Sequence, residues 1–315
     1  MAAPSRTTTV TDRRTGDPER GASPLGVLVG LVRTARPRQW VKNVLVLAAP
    51  LAAGVLLQPS VLVATALAFV VFCLAASGIY LVNDARDVEA DRAHPVKRHR
   101  PIAAGVVPPG LAVGVGALLL AAAVALAALT SSAGLVAVIS TYVVVQLAYC
   151  FFLKHQAVID LAVVASGFLL RAMAGGVAAG IALSQWFLLV AAFGSLFMVA
   201  GKRYSEHRLV GPDEAATRSA LKEYSESYLR FVWSLSAAVA VTAYSLWAFE
   251  LTTPESGNPW PALSIAPFVL ALLRYAVDID RGSAGAPEDI VLGDRTLQVL
   301  GVAWVVIIVI GVSVA

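Results

Sequence analysis

What most restricts this chain is a succession of apolar runs, each about 17 to 25 residues long, the length a helix needs to cross the hydrocarbon of a bilayer. In lipid every backbone polar group must be paired within its own segment, so such runs predict helices. They fall near 40–57, 61–83, 108–128, 133–153, 157–180, 185–201, 228–249, 262–277 and 296–314. The expected fold is all-α: a polytopic membrane protein of about nine transmembrane helices. With 58% hydrophobic and 14% charged residues over 315 positions, the chain is too apolar for a soluble domain. Its two cysteines, Cys73 and Cys150, lie in different apolar runs and match no metal spacing, so they are expected as small buried hydrophobes.

The connections alternate in charge. Those near 84–107, 154–156, 202–227 and 278–295, with the N-terminal tail, hold nearly all the Lys and Arg, whereas those near 58–60, 129–132, 181–184 and 250–261 hold none. The positive-inside rule then places the N-terminus in the cytoplasm and the C-terminus outside. Residues 1–24 are rich in Ser, Thr, Arg, Asp, Pro and Gly and are expected as a disordered cytoplasmic tail, with a single transmembrane catalytic domain over 25–315. Residues 25–42 are basic and amphipathic around Trp40, as suits a membrane interface. The second and sixth runs both end in polar helix ends on the positive side. That echo predicts two four-helix pseudo-repeats plus a ninth helix, around a central cavity open to the cytoplasm.

The chemistry concentrates where the second run ends, in Y-L-V-N-D-A-R-D-V-E-A-D at 80–91. At about 100° per residue Asp84, Asp87 and Asp91 share one helical face, with Tyr80 on the same stripe and Asn83 at its edge. Three unneutralised carboxylates so close repel one another, and Mg²⁺ shared with substrate phosphates removes that repulsion. The following loop brings Lys97, Arg98 and Arg100 between Pro95 and Pro101, cations of the kind a polyphosphate requires. Further on, Tyr149, Lys154 and Asp160 surround a short turn on the same side. Arg171, eleven residues beyond Asp160 on the same face and about 16 Å along the helix, is a deep intramembrane charge. It is a candidate for a lipid phosphate, or else a partner for Asp160 or another carboxylate. Gly167, Gly175, Gly176 and Gly180 are expected to permit close helix packing. At the end of the sixth run Lys202 and Arg203 sit beside Tyr204 and Glu206, where a simple two-metal clamp would need more acids. That implies a substrate with another anionic group, to whose field Arg38 and Lys42 add. The cations are scattered over helix ends without interleaved aromatics, which excludes a nucleic-acid patch.

On these residues the chain resembles the UbiA superfamily of intramembrane prenyltransferases, whose motif N-D-x-x-D-x-x-x-D binds Mg²⁺-diphosphate. The matching positions are Asn83, Asp84, Asp87 and Asp91, followed by D-x-x-x-x-x-K-x-x-R-P-I-A-x-G over 91–105, and the likeness extends over about 31–315. R-P-R-Q-W-V-K-N at 36–43, Y-C-F-F-L-K-H-Q-A-V-I-D at 149–160 and G-K-R-Y-S-E at 201–206 look like the branch of that superfamily that serves actinobacterial arabinan synthesis. The second D-x-x-x-D of the aromatic prenyltransferases is absent.

The resemblance implies transfer of a 5-phosphoribosyl group from phosphoribosyl pyrophosphate to a polyprenyl (decaprenyl) phosphate, with release of diphosphate. Asn83, Asp84, Asp87 and Asp91 would hold Mg²⁺, with the three aspartates as the catalytic set. Lys42, Tyr80, Lys97, Arg100, Lys202 and Arg203 would bind the donor. Lys154, Arg171, Tyr149 and Asp160 would meet the lipid phosphate, and Glu206 would orient a group. The expected partners are therefore the two substrates and the bacterial plasma membrane, with room for a homo-oligomer and no nucleic acid. One alternative is transfer of an isoprenoid from its diphosphate to an aromatic acceptor; another is a transporter of a lipid-linked or anionic solute.

Overall fold

A computed structural model describes residues 23–130, 132–209, 224–252, 257–282, 290–291 and 293–314. The expected tail lies outside the described residues except for its last two. Ser23 already belongs to the fold: its hydroxyl accepts from the Gly26 N–H and caps α1 (Pro24–Ala35), with Pro24 in the first helical position. The 3₁₀ segment Pro37–Leu47 follows, then α2 (Ala48–Ala52), α3 (Pro59–Arg86), α4 (Val88–Ala93), α5 (Pro109–Leu129) and α6 (Ala133–Phe151). The chain continues with α7 (Ile159–Ala178), α8 (Gln185–Leu209), α9 (Glu226–Leu251), α10 (Trp260–Leu263), α11 (Ile265–Asp280) and α12 (Arg295–Val314). Prolines open α3 and α5, while Ser132 and Ser225 cap α6 and α9.

Every described element is helical, and eight of these helical stretches are long and apolar enough to cross a membrane. The chain is a multi-pass membrane protein. The first apolar run is not one continuous helix, although it leads from the charged end of α3, where Trp40 meets Ser77, to Gly54 against Val312 at the far end of α12. It folds as most of the eleven-residue 3₁₀ segment and the short α2, and Pro50 explains the break. Pro50 has no N–H to offer the Val46 carbonyl four residues earlier, so the α-helical ladder cannot run through it. That carbonyl instead approaches Gly175 of α7 so closely that a Cβ there would collide with it. Gly167 and Gly176 also lie at close contacts, whereas Gly180 has open space and a φ of +69, so it serves the turn after α7 rather than packing.

The interior consists of two main apolar clusters that meet on α7. One joins the 3₁₀ segment, α3, α5 and α6 around Phe72, Leu135, Ile139, Leu170 and Ala174. The other joins α8, α9, α11 and α12 around Phe197, Tyr204, Leu229 and Ile279, with Leu161 and Ala165. α7 therefore belongs to both halves. A smaller cluster of Leu81, Ala85, Ile102, Val107 and Ala112 ties the charged loop to the end of α3. α3 and α8 each run past their apolar run, so the charged residues stand on continuous helical extensions.

Candidate active site

Asp84 sits on the last turn of α3 and is buried. Asp87 then adopts φ −90 and ψ 10, which ends α3 and starts α4, the helix that carries the buried Asp91. The single helical face expected for the three carboxylates is thus interrupted at its middle member. Each carboxylate meets a cation from another element. One guanidinium nitrogen of Arg36, Nη2, lies 2.8 and 2.9 Å from the two Asp84 oxygens. Arg100 Nη1 donates to Asp91 at 2.7 Å and to Asp84 at 3.2 Å. Lys154, from the turn after α6, pairs with Asp87. Arg100 is held in place because Pro101 accepts from the Val106 and Val107 N–H groups, folding the loop back so that Ile102 and Val107 enter the small apolar cluster. The Tyr80 ring lies under Arg36, 4.7 Å from the guanidinium carbon. Three acids and three bases balance in this cluster.

A second cluster forms where α7 begins and α8 ends. Asp160, fully buried in the first turn of α7, accepts from Arg203 Nη2 at 3.1 Å through Oδ2, while its Oδ1 has no hydrogen-bond partner among the described residues. Arg203 also reaches Glu206 at 3.2 Å and the Tyr149 phenol, and Lys202 stands 3.9 Å from Glu206. Tyr204, fully buried, pins this end of α8 through its hydroxyl to Glu226 at 2.9 Å, Arg230 at 2.9 Å and Asp280 at 3.3 Å. That pin fixes the turn of α8 from which Arg203 reaches Asp160 on α7. The Tyr224 hydroxyl accepts from the Val158 N–H at 2.7 Å and secures the start of α7. Burial pushes that phenol above its ordinary pKa, so it stays neutral.

Arg171 stands apart from both clusters. It is buried, and its Nε donates to Asn43 at 2.7 Å, Nη1 to the Gly167 carbonyl at 2.6 Å and Nη2 to Tyr142 at 3.1 Å. Phe72, Tyr142 and Phe168 surround the guanidinium. No carboxylate pairs with it among the described residues, and the pairing with Asp160 expected as one alternative is replaced by Asp160–Arg203. The reason is position: Arg171 lies three turns deeper along α7, at the level of the 3₁₀ segment, where Asn43 also donates to Cys73.

The structure therefore brings Asp84, Asp87, Asp91, Tyr80, Arg100 and Lys154 together, and Tyr149, Asp160, Lys202, Arg203 and Glu206 together. Lys154, expected beside the lipid phosphate, stands on the aspartate cluster. Lys97 is half-buried without an ion pair among the described residues, on the 3₁₀ turn Lys97–His99 before Arg100. Lys42 and Asn43 lie on the 3₁₀ segment, and Asn83 on the last turn of α3. Sequence reasoning missed Arg36, Asn43, Tyr142 and Tyr224. Only Arg36 and Asn43 left a signal, as parts of R-P-R-Q-W-V-K-N. Among the described residues no three His, Cys, Asp or Glu side chains converge as a preformed metal cage.

Comparison with known proteins places this arrangement. The chain is 52% identical to a decaprenyl-phosphate phosphoribosyltransferase of Corynebacterium glutamicum, over 99% of this chain and 94% of that protein. It is 56% identical to the Mycolicibacterium smegmatis protein of the same name (90% and 92% covered) and 58% identical to that of Mycobacterium tuberculosis (90% and 94%). Among solved structures, a UbiA homolog from Archaeoglobus fulgidus bound to DMAPP and Mg²⁺ has the same fold, with a TM-score of 0.69 over 91% of this chain and all of that one, at 15% identity. The model of the UbiA prenyltransferase family matches residues 44–297. The chain belongs to the UbiA prenyltransferase family.

Proposed function

We propose that this protein transfers a 5-phosphoribosyl group from phosphoribosyl pyrophosphate to a polyprenyl phosphate such as decaprenyl phosphate, releasing diphosphate, in the synthesis of cell-wall arabinan precursors. The observation that carries this reading is the near full-length identity of 52%, 56% and 58% to decaprenyl-phosphate phosphoribosyltransferases. The site supplies a mechanism for it.

Asp84, Asp87, Asp91 and Asn83 offer only hard oxygen donors, the chemistry that fits Mg²⁺ shared with phosphates. When bound, Mg²⁺ neutralises charge on the departing diphosphate. Arg100, Lys97, Lys42 and Tyr80 hold the diphosphate end of the donor, and Lys202 and Arg203 hold its 5-phosphate. Arg100, Lys97 and Lys42 stabilise the leaving group as the C1–oxygen bond breaks and its electron pair goes to the diphosphate. An oxygen of the lipid phosphate forms the new bond at C1 from the opposite face. A phosphate monoester is already anionic near neutral pH, so no strong base is needed. Lys154, held on Asp87 beside C1, and Tyr149 orient that phosphate at the edge of the aspartate cluster, with Asp160 and Glu206 fixing Arg203, and Arg171 shaping the wall along which the lipid lies.

On this reading the two clusters face a cavity between the halves, open to the cytoplasm of a bacterial plasma membrane, with the chain before α1 as a cytoplasmic tail. The ion pairs among the described residues all stand at one end of the bundle, the end the positive-inside rule assigns to the cytoplasm.

The test is turnover in detergent with Mg²⁺ and polyprenyl phosphate, comparing phosphoribosyl pyrophosphate with a prenyl diphosphate plus an aromatic acceptor. Asp87→Ala serves as the control in each arm. A lipid-linked phosphoribose that vanishes in the mutant and with chelator is the expected result. Product only in the prenyl arm overturns the reading.

A further inference from the structure

Three features meet at Arg36. Its backbone is left-handed, φ 53 and ψ 59, a conformation that non-glycine residues rarely adopt and that turns the chain sharply from α1 into the 3₁₀ segment. That turn is clamped onto α3 on both sides: Ser77 Oγ donates to the Ala35 carbonyl at 3.2 Å, and Trp40 Nε1 donates to Ser77 Oγ at 3.1 Å. The side chain so aimed stacks on Tyr80 and places a single nitrogen between both oxygens of Asp84, the position a chelated cation would take. Finally, the Arg36 side chain is 30% exposed against 3% for Asp84. The guanidinium therefore covers the carboxylate, and an incoming anion meets the cation first.

The charges explain what such an arrangement does. Asp84, Asp87 and Asp91 are matched by Arg36, Arg100 and Lys154, so the cluster is neutral as it stands. A divalent cation arriving alone would have to displace a guanidinium from a buried carboxylate and leave that guanidinium unpaired beside it. A cation arriving with a diphosphate gives the displaced guanidinium a new bidentate partner and keeps the balance near neutral.

The geometry points to Arg36 as an exchangeable counter-ion: it occupies Asp84 in the donor-free protein and passes to a donor phosphate on binding, so that metal and diphosphate enter as one unit. This deepens the proposed function only as far as the donor's diphosphate, whichever group that diphosphate carries. The site guards its own carboxylates, and free metal is a poor ligand for it.

The experiment is calorimetric titration of the full chain in detergent with MgCl₂ alone, and with MgCl₂ in the presence of sodium diphosphate or phosphoribosyl pyrophosphate, corrected for complexes formed in solution. The wild type is expected to bind Mg²⁺ at least about tenfold more tightly when diphosphate is present. In Arg36→Gln, Mg²⁺ alone binds several-fold more tightly than in the wild type, diphosphate binds more weakly, and the coupling between them shrinks; Arg36→Lys is intermediate. If Arg36→Gln weakens diphosphate but leaves the affinity for Mg²⁺ alone unchanged, Arg36 is an ordinary phosphate ligand and the exchange is overturned. Should that variant not fold, the wild type decides, because equal Mg²⁺ affinity with and without diphosphate overturns the exchange too. Coupling with diphosphate but none with phosphoribosyl pyrophosphate supports the exchange while removing the proposed donor.

Discussion

The ends of α3 and α8 both carry charged helical extensions at the same end of the bundle, yet they balance their charges in different ways. At α3 two of the three acids lie beneath their bases: Asp84 and Asp91 are 3% and 4% exposed, while Arg36 and Arg100 are 30% and 28% exposed. At α8 a single arginine is divided between two acids, Asp160 below it and Glu206 beside it. Arg36, tied to Asp84 alone, can open outward toward an anion without stranding the base in lipid, whereas Arg100 is held by both Asp84 and Asp91. The second arrangement pins its base from two sides, and its more committed cation is Arg203 rather than Lys202. A reaction that needs both metal-bound diphosphate and a further phosphate fits this division, with an exchangeable base at one cluster and a base fixed by two acids at the other.

The largest effect should come from breaking the α3 cluster. Asp84→Asn removes the charge that Arg36 and Arg100 share, and transfer of labelled phosphoribose to polyprenyl phosphate is expected to fall by about a hundredfold or more. Thermal unfolding should shift down as well, because two bases lose part of their counter-charge. A variant that kept near wild-type turnover would place the chemistry elsewhere.

Next come the two cations of α8, which the comparison predicts to behave unlike each other. Arg203→Ala leaves the buried Asp160 without a counter-charge, at a stability loss of about 2 kcal/mol, read by thermal unfolding, together with lower turnover. Lys202→Ala removes a half-exposed group 3.9 Å from its nearest acid, so unfolding should be unchanged while KM for phosphoribosyl pyrophosphate rises about tenfold. Lys202 is therefore the cleaner probe of the 5-phosphate. If its loss leaves KM unmoved, that phosphate does not bind there, as an enzyme acting on a prenyl diphosphate would require.

Much of this was legible in the sequence because it depends on spacing along one segment. Eight apolar runs became the eight span-length helices, and the alternation of charge found the end where the ion pairs gather. The exception, the run from 40 to 57, shows what hydropathy does not measure: it reports length and polarity, whereas Pro50 breaks the helix. Most of the charged residues that gather in the two clusters were legible and their pairings were not. Arg36 meets Asp84 across 48 positions, Lys154 meets Asp87 across 67, and Arg171 meets Asn43 across 128. Such contacts follow from which helices pack together, a property of the whole bundle. Arg171 illustrates the consequence, since a deep intramembrane charge suggested a carboxylate or phosphate partner, and the fold supplied an amide, a carbonyl, a phenol and three aromatic rings.

The smallest effect belongs to an acid at the same end of the bundle that serves the fold rather than either cluster. Asp294 precedes α12 and accepts from the Thr296 and Leu297 N–H groups at 2.7 and 3.2 Å, with Arg274 Nη2 at 2.7 Å from its other oxygen. Burial pushes its carboxyl upward, but those backbone hydrogen bonds and Arg274 outweigh the push and hold it below its ordinary pKa. A lowered folded-state pKa means that the stabilisation is fully present above the ordinary carboxylate value, about 3.9, and is lost as pH falls through the lowered one. Asn is itself a good N-cap, so Asp294→Asn keeps much of the hydrogen bonding and removes only the charge. Wild type and variant should therefore differ in Tm at neutral pH, with the wild type higher, and the gap should close as pH falls toward the acid range. A gap independent of pH would assign the effect to hydrogen-bond geometry alone, and Arg274 would then be an idle neighbour.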